Sequence, residues 1–237
     1  MIDRPKVKVQ NLALVDYKQA WDYQEKLLKT AVDIKIENRK SNQSVLPAQY
    51  ILFCEHPHVY TLGKSGAAEH LLMTEENLSQ IDAQYYKINR GGDITYHGPG
   101  QLVMYPILDL EQFFTDIHKY LRYLEETVIR TLNDIGIASE RSKNETGVWI
   151  DSDLVFSRKI CAMGVKASRW VTMHGLALNV NNDLSFFENI IPCGITNKSV
   201  TSISKEIGKN ISLNDVKEII IKHFIEIFSA KLKNRVN

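Results

Sequence analysis

The sequence predicts an α+β fold in which helices pack against a mixed β-sheet, and three observations lead to that prediction. Apolar runs of strand length occur along most of the chain, three longer segments carry apolar residues at helical spacing, and the two kinds of segment do not alternate strictly. Strict alternation would instead favour a parallel sheet. Repeats, low-complexity tracts and interdomain linkers are absent, so we expect residues 1–237 to form one domain.

The first part of the chain reads as strand, helix, loop and strand. Residues 7–15 alternate in character as a half-buried strand does, and Asp16 is placed to cap the helix that follows. Residues 38–47 are polar and predict a surface loop. Residues 50–54 form a continuous apolar run, which is typical of a buried strand.

The middle of the chain contains the longest predicted helix. Thr74 is a plausible start for a short helix, and residues 85–89 predict a strand. Residues 101–110 form an apolar run bounded by turn residues, as expected of a buried strand. The helix is predicted over 111–135, where apolar residues lie on one stripe, and Gly136 is its stop signal.

The last part of the chain predicts short strands followed by a final helix. Ser212 is expected to open that helix, with Asp215 in the capping-box position. The predicted strands cover residues 147–151, 160–166, 170–173 and 176–180.

Composition excludes several classes of protein. The 29 basic residues nearly balance the 28 acidic ones, so no bulk charge attracts nucleic acid or a membrane surface. No apolar run approaches the length that spans a bilayer, and the first residues contain no signal-like apolar segment. Three cysteines without C-x-x-C spacing suit a reducing cytoplasm.

Residues 90–110 hold the densest group of unusual residues. Glycines at 91, 92, 98 and 100 let the backbone adopt rare conformations or approach a ligand closely, and an arginine and a histidine lie among them. This pattern suggests a site that grips a ligand through backbone N–H groups and a few polar side chains. Two ordinary tight turns around a short strand explain it equally well.

Three other stretches carry candidates for chemistry. Residues 158–166 contain Lys159 at the entry to a predicted strand, and Gly164 inside that strand would let a ligand or another backbone approach. Residues 173–179 place a His-Gly step at a strand entry. Residues 190–196 hold a cysteine between a proline and a glycine.

Of the cysteines, Cys193 is the candidate nucleophile. Cys54 and Cys161 lie within apolar strand patterns, where a cysteine behaves as a small hydrophobe and its thiol stays protonated. A reactive thiolate needs a nearby cation to lower a thiol pKa of about 8.5. Lys159 is a candidate for that cation, although a lone loop cysteine is more often unreactive. A zinc site of His97, His174 and Cys193 can be imagined, but the spacing matches no metal pattern.

Taken together, the motifs resemble the octanoyl-[acyl-carrier-protein]:protein octanoyltransferases, often called lipoate–protein ligase B. The similarity covers about residues 50–205 in the family's order and spacing. The matching segments are residues 55–57, 59–63, 90–107, 146–149, 159–165, 174–180 and 192–194.

The resemblance implies a catalytic domain like that of biotin and lipoate ligases. It also implies roles for the residues that match the family's site positions. Cys193 falls on the nucleophile that receives the octanoyl group as a thioester, and Lys159 on the residue that lowers the thiol pKa and assists proton transfer. His174 and Tyr60 are possible supporting residues. The residues that fall on the acyl-binding stretches are Arg90, Gly91, Gly92, Asp93, Ile94, Thr95, Tyr96, His97, Ala162, Met163, Gly164, Gly175, Leu176 and Ala177.

The resemblance also implies partners. The donor is octanoyl-acyl-carrier protein, and the acceptors are lipoyl domains of 2-oxoacid dehydrogenase E2 subunits and the glycine-cleavage H protein. No cofactor or metal is expected, and we expect a cytoplasmic monomer. Because carrier proteins are usually acidic, a basic docking patch is expected, with Lys143, Arg158, Lys166 and Arg169 as candidates.

Two other functions compete with the transferase. An ATP-dependent lipoate or biotin ligase on the same fold would need a nucleotide but no cysteine, so the loop around Cys193 argues against it. A non-catalytic module that binds acyl chains or carriers is disfavoured because Lys159 and Cys193 are both present.

Overall fold

The fold is built on two β-sheets, a large mixed sheet and a small one. The computed structural model describes residues 4–143, 145–191 and 199–233. In these residues the large sheet has nine strands and the small sheet has three. The large sheet contains both parallel and antiparallel strand pairs. The predicted α+β fold is confirmed.

The strands are mostly short. The large sheet consists of β1 (Lys6–Leu14), β2 (Gln49–Glu55), β6 (Gln101–Ile107), β7 (Glu140–Arg141), β8 (Val148–Ile150), β9 (Arg158–Ser168), β10 (Val171–Asn179), β11 (Ser199–Val200) and β12 (Lys231–Leu232). The small sheet consists of β3 (Val59–Leu62), β4 (Gln84–Lys87) and β5 (Ile94–His97). The strand order is β12-β1-β2-β6-β10-β9-β8-β7 in the large sheet, with β11 paired to β9, and β4-β3-β5 in the small sheet. In the large sheet, parallel pairs join β1 to β2 and β11 to β9, whereas β2, β6, β10 and β9 pair antiparallel.

The helices vary from one turn to seven. The α-helices are α1 (Tyr17–Ser41), α2 (Glu75–Gln80), α3 (Ile117–Ile135), α4 (Ile203–Ile207) and α5 (Leu213–Ile227). Short 3₁₀ helices cover Ala68–His70, Leu110–Gln112 and Ser185–Asn189. None of the helices in the described part of the chain combines the length and apolarity needed to cross a bilayer.

The predicted helix caps are confirmed at both ends of the chain. The Asp16 carboxylate accepts a hydrogen bond from the Gln19 backbone N–H at 3.1 Å, which opens α1. Ser212 accepts from the Asp215 backbone N–H at 3.3 Å and opens α5. Thr74 caps α2 in the same way.

Two helix boundaries differ from the predictions. The long helix begins at Ile117 rather than at residue 111, because Asp116 caps it and Leu110–Gln112 closes a separate 3₁₀ turn. Helix α1 continues to Ser41 and ends at Asn42, whose backbone is left-handed, so the start of the predicted loop 38–47 is helical. Polar residues on an exposed last turn are compatible with a helix, which is why the pattern misled.

The strand predictions differ from the structure in two ways: they omit several short strands, including β7, β11 and β12, and they divide one long strand. The small sheet includes β3, Val59–Leu62, for which no strand was predicted. The predicted strands 170–173 and 176–180 are one strand, β10, because its pairing with β9 runs without interruption through His174 and Gly175. His174 takes a φ of 58° inside this strand, a conformation that side chains rarely adopt.

The large sheet is covered on both faces. Helices α3 and α5 pack on one face over a core that includes Phe53, Met104 and Leu178. Helix α1 packs on the other face, over Leu52, Val103 and related residues. At the start of α1, Tyr17 contacts Val59 of the small sheet, so both sheets and this helix meet at one place.

Candidate active site

A cavity of about 520 Å³ lies where the small sheet and the loop before β5 cover strands β6, β9 and β10. Thirteen of the fourteen predicted acyl-site residues line it, and Lys159 and His174 do as well. Those residues are Arg90, Gly91, Gly92, Asp93, Ile94, Thr95, His97, Ala162, Met163, Gly164, Gly175, Leu176 and Ala177. Segments far apart in sequence are therefore brought together.

Gly164 lets the covering loop approach the sheet, and Gly175 lets strands β10 and β6 pack closely within the sheet. A Cβ atom on Gly164 would lie 2.6 Å from the Gly91 carbonyl oxygen, and the Gly91 backbone N–H donates to the Val165 carbonyl at 3.0 Å. A Cβ atom on Gly175 would lie 2.2 Å from the Met104 carbonyl oxygen. The prediction that Gly164 admits another backbone is confirmed.

Arg90 ties the covering loop to the small sheet. Its guanidinium donates from Nη2 to the Thr61 carbonyl at 2.7 Å and to Thr61 Oγ1 at 3.1 Å, and from Nη1 to the Gly91 carbonyl at 3.0 Å. The side chain is buried, so these bonds compensate the loss of water around its charge. Arg90 therefore fixes the shape of the cavity wall.

Asp93 also holds the loop in place. Its Oδ1 accepts from the Ile94 backbone N–H at 2.6 Å, and its Oδ2 lies 2.6 Å from His70 Nδ1. The carboxylate thus joins the 3₁₀ helix Ala68–His70 to the start of β5.

Tyr60 and Tyr96 lie behind the cavity wall rather than on it. Tyr60 donates from Oη to the Phe186 carbonyl at 2.9 Å and accepts from Asn189 Nδ2 at 2.9 Å. Tyr96 stacks on the Phe186 ring with centroids 5.1 Å apart. Both tyrosines therefore support the 3₁₀ helix Ser185–Asn189, which leads toward the segment that contains Cys193.

The two predicted histidines are buried and neutral. Burial lowers the pKa of His97 to about 3, with nearby His56 adding to the shift, and its Nδ1 donates to Gln101 Oε1 at 2.8 Å. Burial, followed by the positive charge of Arg90, lowers the pKa of His174 to about 3.

Lys159 stands at the start of β9 with its ammonium in a mostly buried setting. Its side chain is 18% exposed, and Nζ lies 3.5 Å from Glu145 Oε2 and 4.5 Å from the centroid of the Trp149 ring. A carboxylate and an aromatic face both favour a cation. The sequence offered no role for Glu145; its place beside the matching segment 146–149 was the available signal.

A buried carboxylate anchors the turn that carries Glu145. Glu125 of α3 is fully buried, and its Oε1 accepts from the Gly147 backbone N–H at 3.0 Å. Its Oε2 accepts from Arg122 Nη1 at 2.7 Å and from Arg141 Nε at 3.2 Å. The turn beside Lys159 is thus attached to the interior of the protein.

Cys193 lies outside the described residues, as do the other residues of 192–198. The described chain on either side of that segment reaches the cavity: Phe187 and Val200 both line it. Val200 pairs with Lys159 in the β11–β9 ladder, and the Thr201 backbone N–H donates to the Lys159 carbonyl at 3.0 Å. The zinc site considered for His97, His174 and Cys193 also depends on this segment.

Cys54 and Cys161 are fully or almost fully buried, and burial raises the pKa of both thiols. Their predicted character as small core residues is confirmed. They are also far less ionised at neutral pH than an exposed thiol would be.

Three of the four cations proposed for docking pair with carboxylates of the protein itself. Lys143 pairs with Asp153 at 3.0 Å, and Lys166 with Glu25 at 3.0 Å. The Arg158 guanidinium contacts both Asp151 and Glu206. These pairs reduce the net positive charge that an acidic carrier protein would meet, so they weaken the case for a basic patch.

Comparison with known proteins places the chain among lipoyl-pathway enzymes. The family model described as the lipoyl protein ligase A/B catalytic domain matches residues 16–225. An octanoyltransferase from Christiangramia forsetii is 63% identical over 228 residues, which are 96% of this chain and 97% of the relative. An octanoyltransferase from Flavobacterium johnsoniae is 59% identical, covering 96% and 98%.

Solved structures share the architecture at low sequence identity. A bipartite lipoate protein ligase from Thermoplasma acidophilum superimposes with a TM-score of 0.69 at 14% identity, covering 99% of this chain and 88% of that one. A biotin protein ligase from Aquifex aeolicus gives 0.50 at 14%, covering 97% and 70%. These likenesses confirm the predicted ligase-like fold. From its sequence match over residues 16–225 and its similarity to two octanoyltransferases, we conclude that the chain belongs to the lipoyl protein ligase A/B catalytic domain family.

Proposed function

We propose that this protein transfers an octanoyl group from octanoyl-acyl-carrier protein to a lysine of a lipoyl domain, through a thioester on Cys193. The acceptors are the lipoyl domains of 2-oxoacid dehydrogenase E2 subunits and the glycine-cleavage H protein, and residues 1–237 act as one catalytic domain. One observation carries the proposal: Lys159 lies at the wall of an apolar cavity, and the chain on both sides of Cys193 borders the same cavity. The octanoyltransferase relatives, similar over nearly their whole length, support the same reaction.

The first half-reaction moves the acyl group to the enzyme. The Cys193 thiolate attacks the octanoyl carbonyl carbon, a new C–S bond forms, and the C–S bond to the carrier's prosthetic thiol breaks. The carrier leaves as a thiolate that then takes up a proton. One thioester replaces another, so the step is close to isoenergetic and needs no ATP.

The second half-reaction moves the acyl group to the acceptor. The lysine amine of the lipoyl domain attacks the thioester carbonyl, an amide bond forms, and the bond to Cys193 Sγ breaks. The amine loses a proton, and the Cys193 thiolate is regenerated. Amide formation from a thioester is downhill, which makes the overall transfer favourable without nucleotide.

Lys159 serves both steps. Its ammonium, stabilised beside Glu145 and the Trp149 ring, supplies a positive charge that favours the thiolate of Cys193 over the thiol. In the first step the ammonium gives a proton to the leaving carrier thiolate, and the resulting Lys159 amine accepts the proton of the attacking lysine in the second step.

The acyl chain occupies the cavity between the covering loop and the large sheet. Arg90 to His97 supply its cover, residues 162–164 and 175–177 its sheet side, and His174 and Tyr60 support the walls. A free reactive thiol and an acyl-carrier donor both fit a reducing cytoplasm, and the protein is proposed to act there as a monomer.

The competing function is an ATP-dependent lipoate ligase, because the lipoate protein ligase of Thermoplasma acidophilum has a similar fold. Purified protein incubated with octanoyl-acyl-carrier protein and an unmodified lipoyl domain separates the two. We expect the lipoyl domain to gain one octanoyl group by intact mass without ATP, and we expect no ATP–pyrophosphate exchange with octanoate or lipoate. Transfer that requires ATP and free acid would contradict the proposal.

A further inference from the structure

The cavity changes character from one end to the other. Lys159, Glu145 and Thr146 line it near the start of β9, whereas Tyr17 and Tyr105 line it near β6 and the start of α1. Between them the sheet offers small side chains. Ala162, Ala177 and Val103 form one row across β9, β10 and β6, as the strand register shows.

The spacing of the two ends suits a medium-length acyl chain. Met104 of β6 lies in the same row of the sheet as Leu176 of β10 and Met163 of β9. Lys159 precedes Met163 by four residues on β9, and Tyr105 follows Met104 by one on β6. Tyr105 therefore lies about five residues farther along the strands than Lys159. That separation is roughly 16 Å along the strands and about 10 Å across them. The two long side chains occupy part of it, and an extended octanoyl chain needs roughly 9 Å, because each of its C–C bonds advances the chain by about 1.25 Å.

Tyr17 forms a rigid surface at the far end. Its side chain is buried, and its ring stacks on His97 with centroids 5.8 Å apart and on Tyr86 with centroids 5.7 Å apart. The His56 ring meets it edge-on at 5.1 Å. Rings on three sides leave the side chain little freedom to move away from a longer ligand.

Tyr105 is fixed beside it. The Tyr105 hydroxyl lies 2.8 Å from His56 Nε2, and His56 Nδ1 donates to the Val15 carbonyl at 2.8 Å. Burial raises the pKa of both tyrosines, so their phenols are neutral. The far end is thus formed by neutral aromatic side chains held by the residues around them, with the charged Arg90 near both rings.

We propose that the Tyr17 ring, supported by Tyr105, closes the acyl slot and determines the longest chain that the enzyme accepts. This inference rests on the proposed function, because it assigns the cavity to the acyl group. Burial of methylenes alone gives roughly a fourfold preference per carbon for longer chains. A closed end is therefore required to reject chains longer than octanoyl.

The test measures kcat/KM for hexanoyl-, octanoyl-, decanoyl- and dodecanoyl-acyl-carrier protein with a lipoyl domain as acceptor. Tyr17→Ala removes the closing ring, so the decanoyl-to-octanoyl ratio should rise by about 16-fold, from two additional buried methylenes at roughly fourfold each. Ala177→Leu fills the middle of the slot and should shift the preference toward hexanoyl. Circular dichroism melts establish that both variants are folded.

Two further variants make the test specific. Tyr85→Ala removes a ring of strand β4 that packs with Tyr60 in the small-sheet core and does not line the cavity, so it should keep the wild-type ratio. Leu121 lines the cavity from helix α3. If Leu121→Ala raises the ratio while Tyr17→Ala does not, the slot ends elsewhere and the inference is wrong. If the wild type transfers no octanoyl group at all, the proposed function itself fails.

Discussion

Lys159 and Glu145 form an ion pair, with Nζ 3.5 Å from Oε2, at the wall of the cavity. Both side chains are mostly buried, at 18% and 15% exposure, and the Trp149 ring lies under the ammonium at 4.5 Å. An ammonium held in this way is a fixed positive charge rather than a mobile surface lysine. If Cys193 reacts at this wall, that charge is available to stabilise its thiolate.

Replacing Lys159 by methionine should slow transfer at neutral pH by about 100-fold or more, the usual effect of removing a group that assists proton transfer. The octanoyl donor should still bind, so KM should change little. Raising the pH should recover part of the rate, because a thiol with an ordinary pKa of about 8.5 ionises without help in alkaline solution. Rates from pH 6 to 9.5 check this, and undiminished transfer at pH 7 would remove Lys159 from the mechanism.

Replacing Glu125 by alanine should destabilise the protein by about 1–3 kcal/mol, because the Gly147 backbone N–H loses its partner and two arginines lose their shared carboxylate. The cost is moderate because Arg122 and Arg141 are partly exposed and can be hydrated. Urea denaturation measures this loss. Glu125→Gln keeps an acceptor for Gly147, so a loss as large as that of alanine would show that charge, rather than this hydrogen bond, matters most.

Gly164→Ala should reduce octanoyl transfer by at least about tenfold and cost about 1–3 kcal/mol of stability, because the new Cβ atom would lie 2.6 Å from the Gly91 carbonyl and push the covering loop away. Gly136→Ala is the matched control. Its φ of 93° strains an alanine, but nothing lies within 4 Å of its Cβ position, so stability should fall while transfer by the folded protein persists. Equal effects on transfer would argue against a role for the covering loop.

The protein should lose stability as the pH falls below about 6.5. Burial lowers the pKa of His56 to about 4 and those of His97 and His174 to about 3. An unfolded histidine takes up a proton near pH 6.5, so between these values the unfolded chain binds more protons and gains stability relative to the folded one. Each such histidine lowers the free energy of unfolding by about 2 kcal/mol at pH 5 and by almost nothing above pH 7.

His97→Gln tests this dependence. The difference in unfolding free energy between pH 7 and pH 5, from urea denaturation, should shrink by about 2 kcal/mol in this variant. His118→Gln makes the same chemical change on an exposed face of α3 and should leave the difference as in the wild type. If both variants behave alike, the buried histidines do not govern the acid response.

The sequence predicted the large sheet and the helix caps well, because local patterns determine them. Asp16 and Ser212 cap as predicted, and the apolar run of β2 is a buried strand. The small sheet was harder, since β3 and β5 have four residues each and pair with partners distant in sequence. Strand β10 was divided in two because a His-Gly step resembles a turn, whereas the ladder to β9 passes straight through it.

The site residues were predicted from their positions in the motifs of a similar family rather than from local sequence patterns. The segments around Gly91, Gly164 and Gly175 were expected to form one site through their resemblance to a family, and the cavity brings them together. Glu145 and Tyr17 were missed, because an ion pair across a turn and a ring at the end of a cavity have no local signal. Both depend on tertiary packing.

The direct test of the central claim is the detection of an octanoyl thioester on Cys193. Protein mixed with octanoyl-acyl-carrier protein, without acceptor, is analysed by intact mass before and after hydroxylamine. We predict one hydroxylamine-labile octanoyl adduct in the wild type and in Cys161→Ala, and none in Cys193→Ser. An adduct that persists without Cys193, or a wild type that transfers the octanoyl group to a lipoyl domain without ever forming the adduct, would contradict the account.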